Sequence, residues 1–254
     1  MNVIVFGATG NTGRRVLAQG LNSGHQMTAF VRNPKKLRDQ LGEHAAGQVR
    51  VIADDRTDPA NVGEVLAQQD AAILAAGHAG QGEEFVRLVD TLISQCESQP
   101  RFTGRVWIMG GAGLLDIPHT ALIGNNLPGF PPEFQAHNRN FERLRRSSLD
   151  WSVMCPGTMT ESREHPEPVR LRVTTDILPV PVPETIREWS EAAIAGHLFS
   201  RLHELNVAYD DVASWMLDHL ELGGPFNRKR VGLAYQSTTP ALRGAANSLP
   251  SSYR

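Results

Sequence analysis

A doubly wound parallel α/β sheet with a small C-terminal elaboration is the fold that this 254-residue sequence predicts. Three observations carry the prediction. The apolar run Val3-Ile-Val-Phe6 breaks directly into glycines at 7, 10 and 13, five short apolar segments recur in the first half, and intervals of helical length separate them. Parallel neighbours need crossover connections of a dozen or more residues, and hairpin returns are far shorter.

Val3, Ile4, Val5 and Phe6 read as a strand buried on both faces, where polar alternation is not expected. Thr12 is expected to cap a helix over 13–21. Strand two covers 26–31, and a turn at Asn33-Pro34 leads into a short helix over 35–40. Strand three covers 49–53. Asp58-Pro59 marks the next helix entry, because a proline in the first turn loses no needed donor. Strand four covers 71–76, and a helix over 83–95 follows with Phe85, Leu88, Val89, Leu92 and Ile93 at helical spacing. Strand five covers 106–109. A Gly- and Pro-rich loop over 110–132 precedes a helix over 133–146, and strand six covers 150–155.

The last third is less regular. A strand is expected over 169–174, Pro179, Pro181 and Pro183 exclude a central strand nearby, and helices are expected over 190–202 and 210–220. A final strand is expected over 230–235. The chain thus reads as a single domain over 1–235, with 158–209 as a substrate-side or oligomer-contact elaboration and 236–254 as a mobile tail.

Composition narrows the classes of function. The formal charge is −2 with both signs interspersed, so no large positive field is available for nucleic acid. Cys96 and Cys155 form neither a metal-ligand spacing nor a disulfide framework, and reduced thiols are expected. No apolar run approaches membrane-spanning length and no signal-like segment opens the sequence, so the expected location is the cytoplasm.

The glycines supply the first functional expectation. Gly7 permits the tight turn, Gly10 lets the backbone approach a pyrophosphate, and Gly13 lets the helix pack closely on the strand. The free backbone donors of that helix provide an anion site. Beyond strand two an NAD site commonly places an acid, whereas this chain offers Arg32, Asn33, Lys35 and Lys36. Arg32 can bond a ribose 2′-phosphate directionally, with Lys35 or Lys36 adding charge, which favours NADPH over NADH. Asp54 and Asp55 follow strand three and can accept adenine amino hydrogens.

The motifs Gly7-Ala-Thr-Gly-Asn-Thr-Gly13, Phe30-Val-Arg-Asn-Pro-Lys-Lys-Leu37, Trp107-Ile-Met-Gly-Gly-Ala-Gly113, Ser148-Leu-Asp-Trp-Ser-Val-Met-Cys-Pro-Gly157 and Val207-Ala-Tyr-Asp-Asp-Val-Ala213 occur in one order. Together they resemble the atypical short-chain dehydrogenase/reductase group. The likeness is to its NmrA-like and flavin-reductase-like, or biliverdin-reductase-B-like, branch. The resemblance spans 1–235 and implies a Rossmann-like NAD(P)-binding domain. It implies cofactor contacts at Gly7, Thr9, Gly10, Asn11, Thr12 and Gly13, at Arg32 and Lys35, at Asp55, at Ala76 and Gly77, and at Gly110 and Gly111. The small residues Gly110-Gly-Ala-Gly113 are expected to leave room near the nicotinamide.

The chemistry departs from the familiar pattern. Short-chain dehydrogenases use a tyrosine and a lysine four residues later, and counting back from Leu149-Asp-Trp151 puts Glu133 and His137 there instead. Gly111 stands where many relatives have serine or threonine. His137 is the candidate catalytic residue, titrating near neutrality, with Glu133 one turn earlier able to orient it. Flavin reduction asks less of a protein acid, because the cofactor carries the chemistry and charge delocalises in the acceptor ring. The leading expectation is an NADPH-dependent oxidoreductase that passes hydride to a planar conjugated acceptor such as a flavin or quinone. Two alternatives stand beside it: an NmrA-like nucleotide-sensing regulator, and a reductase or isomerase of a small carbonyl metabolite. The expected assembly is a monomer or homodimer without nucleic acid, membrane or metal. Phe130, Phe134, Met159 and Trp189 are candidate walls of the acceptor pocket.

Overall fold

The computed structural model describes residues 1–53, 59–161 and 170–236. The expectations at Asp54, Asp55 and Asp58, the part of the 158–209 elaboration over 162–169 with the first residue of the strand expected over 169–174, and those beyond Gln236 lie outside the described residues. In chain order, β1 (Asn2–Phe6), α1 (Asn11–Asn22), β2 (Gln26–Val31), α2 (Pro34–Leu41), α3 (Glu43–Ala46) and β3 (Arg50–Ala53) come first. There follow α4 (Pro59–Leu66), β4 (Ala71–Leu74), α5 (Glu83–Ser98), β5 (Arg105–Met109), α6 (Gln135–Arg145) and β6 (Asp150–Cys155). The chain continues through β7 (Met159–Thr160), β8 (Leu171–Thr175), α7 (Glu191–Arg201), β9 (Val207–Ala208), α8 (Tyr209–Leu217) and β10 (Lys229–Tyr235).

Eight strands form one sheet in the order β3-β2-β1-β4-β5-β6-β10-β8, parallel throughout except where β8 runs antiparallel to β10. β7 and β9 form a separate short parallel pair. The uninterrupted apolar strands are explained by burial on both faces. Val3, Val5, Ala29, Ile73, Trp107 and Met154 pack beneath α1, α2 and α8, while Ile4, Phe6, Phe30, Leu74, Val106 and Ile108 pack beneath α4, α5, α6 and α7. From β1 the chain winds outward to β3 and returns to β4 on the other side, so the strand order reverses between β1 and β4. In such sheets the crevice beyond the carboxyl ends of those two strands is where ligands bind.

Three expectations need correction. α1 begins at Asn11 with Gly10 as its N-cap and no side-chain cap, so Thr12 is not the cap but a buried member of the first turn. The glycine turn, closed by Gly10 N–H donating to Gly7 O at 2.9 Å, delivers the chain straight into the helix. Glu133 does not start α6: it sits in a 3-10 turn at Pro132–Phe134, where two prolines favour a tight turn, and the helix proper starts at Gln135. Strand four ends at Leu74, before Ala76.

Cys96 and Cys155 are free and buried, and burial pushes both thiols up to about 12. Neither supplies thiolate near neutral pH. Among the described residues, no helix is long and apolar enough to cross a membrane.

Candidate functional site

The crevice begins at the glycine turn. Gly7 has φ of +82°, and a Cβ there would lie 2.4 Å from Ala75 O, so both conformation and close approach exclude a side chain. A Cβ at Gly13 would lie 2.3 Å from Gly7 O, which is the close helix-to-strand packing that the sequence implies. The first bond of α1 runs from Arg14 N to Gly10 O at 3.0 Å. The N–H groups of Asn11, Thr12 and Gly13 precede it and have no intrahelical acceptor. A bare backbone cradle with donors at the positive end of a helix fits a cofactor pyrophosphate.

Neighbouring strands bring the other expected residues to the same edge. Phe6 pairs with Phe30 and with Leu74, and Leu74 pairs with Ile108, so Arg32, Ala76–Gly77 and Gly110–Gly111 all lie just past the strand ends that flank the turn. Arg32 is exposed and has no hydrogen bond or ion pair among the described residues. Lys35 bonds Asp39 at 2.8 Å on the exposed face of α2, a pair weak enough to exchange for a ligand. Asn33 caps α2 by accepting from Lys36 N at 3.0 Å, and Gln40 of that helix donates to Thr9 O at 3.2 Å. The glycine turn and the basic loop are thereby fastened together.

The small residues on the nicotinamide side divide by role. A Cβ at Gly110 would lie 2.7 Å from Val153 Cγ1, and one at Gly113 1.9 Å from Asn125 Oδ1, so both are small because other side chains fill their space. Gly77 has φ of +80° and would press a Cβ within 2.6 Å of Phe85 Cδ2. Of the three glycines over 110–113, Gly111 alone has room for a Cβ without a clash: it would make ordinary contact with His137 Cδ2 and Nε2, both at 3.9 Å.

His137 is thus brought to the site, but not in the expected state. Its ring meets Phe85 edge-on at 5.3 Å and tilts against Phe134 at 6.3 Å. Burial pushes its pKa down from 6.5 to about 4, so the expected titration near neutrality is corrected to a neutral imidazole. Glu133 does not orient it; among the described residues no hydrogen bond joins the two. A carboxamide network holds the helix start instead, with Asn125 Nδ2 donating to Asn138 Oδ1 at 2.7 Å and Gln135 Nε2 to Asn125 O at 2.6 Å.

Of the candidate pocket walls, Phe134 joins His137. Phe130 instead stacks on Phe199 of α7 at 4.7 Å, and Trp189 meets His197 edge-on at 5.3 Å. Met159 lies in β7, whose next residues return the chain to α1: Glu161 bridges to Arg14 at 3.4 Å and to Arg15, and Arg15 also reaches Asp210 at 3.2 Å. Sequence reasoning passed over this clamp. Its signal was a pair of cations near a helix N-terminus, where the dipole disfavours them unless acids compensate. His78, exposed one residue past Gly77, is a second residue at the crevice that was not singled out.

The comparisons agree with this geometry. A family model described as NAD(P)H-binding matches residues 7–179. The uncharacterised protein YwnB of Bacillus subtilis is 30% identical over 169 residues, covering 61% of this chain and 71% of that protein. Among solved structures, a proposed NADH-flavin reductase of Streptococcus pneumoniae superposes with a TM-score of 0.67 at 20% identity, covering 93% of this chain and 100% of that one. A short-chain dehydrogenase/reductase of Veillonella parvula in complex with NADP gives 0.65 at 16% identity, covering 93% and 95%. At such identities the two structures speak for the fold. The matched span begins at the first glycine of the cradle and takes in β2, β3, β4, β5 and β6, and the chain belongs to the NAD(P)H-binding family.

Proposed function

We propose that the protein is an NADPH-dependent oxidoreductase whose acceptor is a planar conjugated molecule such as a flavin or a quinone. The observation that carries this reading is the side of the crevice past β5, where the His137 ring edge faces Gly111 with room for no more than a small side chain between them and Phe134 lies beside the ring. It offers flat apolar surface and one polar edge, and the positions counted as those of the familiar tyrosine and lysine hold Glu133 and a neutral histidine. The bound dihydronicotinamide supplies hydride; the protein's part is to hold ring against ring and keep other geometries out.

Gly7, Thr9, Gly10, Asn11, Thr12 and Gly13 would hold the pyrophosphate, and Ala76, Gly77, Gly110 and Gly111 the nicotinamide half. Arg32, with Lys35, would hold the 2′-phosphate. The preference for NADPH rests on the exposed guanidinium of Arg32 beyond β2, which has no partner among the described residues and whose fork of donors suits phosphate oxygens. Matched NADH and NADPH titrations of the wild type and Arg32→Ala test it. Loss of a charge-assisted contact predicts a drop of about tenfold or more for NADPH and little for NADH. Equal losses would remove Arg32 from cofactor selection. An acceptor panel of flavins, quinones and simple carbonyls then tests the reaction class, and tight nucleotide binding without any turnover would point to sensing instead.

A further inference from the structure

The amino ends of the strands, at the opposite edge of the sheet from the glycine turn, hold a second concavity of about 290 Å³. Asn2 of β1, Gln26 and Thr28 of β2, Arg50 of β3, and Gln68 and Gln69 after α4 line it. Strand register gathers them, because Asn2 pairs with Gln26 and Thr28 with Arg50. Thr28 is two residues from Phe30 and Arg50 two from Ile52, so strand alternation puts both on the face that packs beneath α4 and α5.

The floor of this concavity carries polar groups that the chain leaves open. Gln69 is 7% exposed; its Nε2 donates to Val65 O at 3.2 Å, whereas its Oε1 is buried without a partner. Thr28 is 4% exposed, and its hydroxyl has no partner among the described residues. Arg50 Nη1 donates to Gln68 Oε1, and the remaining donors of its guanidinium are free for a ligand. Among the described residues the lining holds no carboxylate, and the adjacent Asp70 is engaged by the Asn2 backbone N–H at 2.7 Å. A buried acceptor without a donor is destabilising, which calls for an occupant that brings the donor. Water answers that need in many cavities, but the guanidinium beside it asks for a charge that water lacks. The volume equals that of about ten waters in the liquid, which is room for a compact organic anion.

We propose that this concavity binds a small hydroxycarboxylate, of the size of malate, at a site separate from the nucleotide crevice. A carboxylate lies against the Arg50 guanidinium, and the Thr28 hydroxyl donates to one of its oxygens. The ligand's own hydroxyl donates to Gln69 Oε1, the acceptor that the fold leaves unmatched. A second carboxylate faces the side-chain amides of Asn2 and Gln26 at the mouth. An inorganic anion brings no donor and an uncharged polyol brings no charge, so neither engages both halves of the site. The two ends of the strands are far enough apart along the sheet that occupancy of one site does not block the other.

Titration calorimetry and backbone amide spectra of the full-length protein test this with L-malate as the probe, with and without saturating NADPH. Saturable binding is expected, with shifts centred on residues 26–28, 48–50 and 68–70 and the same affinity when NADPH is bound. Succinate, which lacks only the hydroxyl, is expected to bind several-fold more weakly, and sulfate more weakly still. Arg50→Met should lower malate affinity about tenfold or more, as loss of a charged hydrogen bond does. Thr28→Val keeps the branched shape within the strand and should lower affinity several-fold, with a ligand-free melting temperature equal to the wild type or higher. Absence of shifts at millimolar malate would show a cavity filled by water alone. Equal binding of malate, succinate and sulfate would show an adventitious ion only, and competition with NADPH would put the anion in the glycine cradle. Malate affinity unchanged in Arg50→Met or in Thr28→Val would put the ligand elsewhere. Each of these results overturns the proposal, and none of them touches the reductase reading.

Discussion

Gly13 and Gly196 are both helical glycines, and the structure gives them opposite consequences. A Cβ at Gly13 would meet backbone atoms, Gly7 O at 2.3 Å and Ala8 Cα at 2.9 Å, neither of which can swing aside. Gly13→Ala is expected to cost about 2 kcal/mol or more, as overpacking does, and to weaken binding of both nicotinamide cofactors. Gly196 on α7 has nothing within 4 Å, so Gly196→Ala should stabilise by about 0.5–1 kcal/mol through helix propensity alone. Denaturant midpoints with a cofactor titration separate the two; equal effects would sink the steric account. His137 gives a pH signature of the same local origin. The unfolded ring has a pKa near 6.5 and the folded ring about 4, so between these values the unfolded chain binds more protons and stability falls as pH falls. His137→Phe should flatten the stability profile across that window, and an unchanged slope would show that the ring is not held neutral. The spacing of Gly7, Gly10 and Gly13 made the cradle legible from sequence because its logic is local. The state of His137 was not, since Phe85 comes from another helix, and neither were the reasons for Gly110 and Gly113, which lie in Val153 and Asn125.

Helices and strands long enough to repeat an apolar pattern were readable in order, and β2 and β6 fall on the expected residues throughout. What the pattern could not reveal is short or set by contacts: α3 has four residues and β7 and β9 two each, too few for a period to register. Helix starts were harder still, because Thr12 is a good capping residue whose role was pre-empted by the glycine turn. α2 shows the cap working as its chemistry predicts. Asn33 accepts from Lys36 N at 3.0 Å and Pro34 occupies the first helical position. Asn33→Ala is expected to lower stability by about 1 kcal/mol. Since Arg32 immediately precedes the cap, the same change should also weaken NADPH binding more than NADH binding. A variant with lower stability but an unaltered cofactor ratio would separate the cap from the presentation of Arg32.

Across the whole sheet, the last strand is placed by a single guanidinium. β10 inserts between β6 and β8, and Arg230 at its start donates to Leu114 O at 2.5 Å, to both oxygens of Asp116 at 3.1 and 2.9 Å, and to Asp176 at 3.4 Å. It also lies over the Phe141 ring at 5.0 Å. It therefore joins the loop that carries Gly111, the helix that carries His137, and the turn after β8. The side chain of Arg230 is 11% exposed, so Arg230→Met, which keeps length and removes the charge, should cost about 3 kcal/mol by stranding its acceptors. Asp116, nearly half exposed, matters less: Asp116→Asn should cost about 1 kcal/mol or under. Acid denaturation distinguishes this network from simple packing. Burial alone raises the Asp176 pKa, but hydrogen bonds from Lys229 and from the Arg230 backbone, with both positive charges, bring it below its ordinary 3.8. A depressed carboxylate stabilises the fold above its unfolded value, and that contribution disappears as pH falls through the lower folded value. Arg230→Met removes part of the depression, so its stability should depend less steeply on pH below about 4 than that of the wild type, while already lying lower at neutral pH. Parallel curves for the two proteins would mean that Arg230 acts through packing alone, and that the acceptor side of the crevice is held by its apolar contacts.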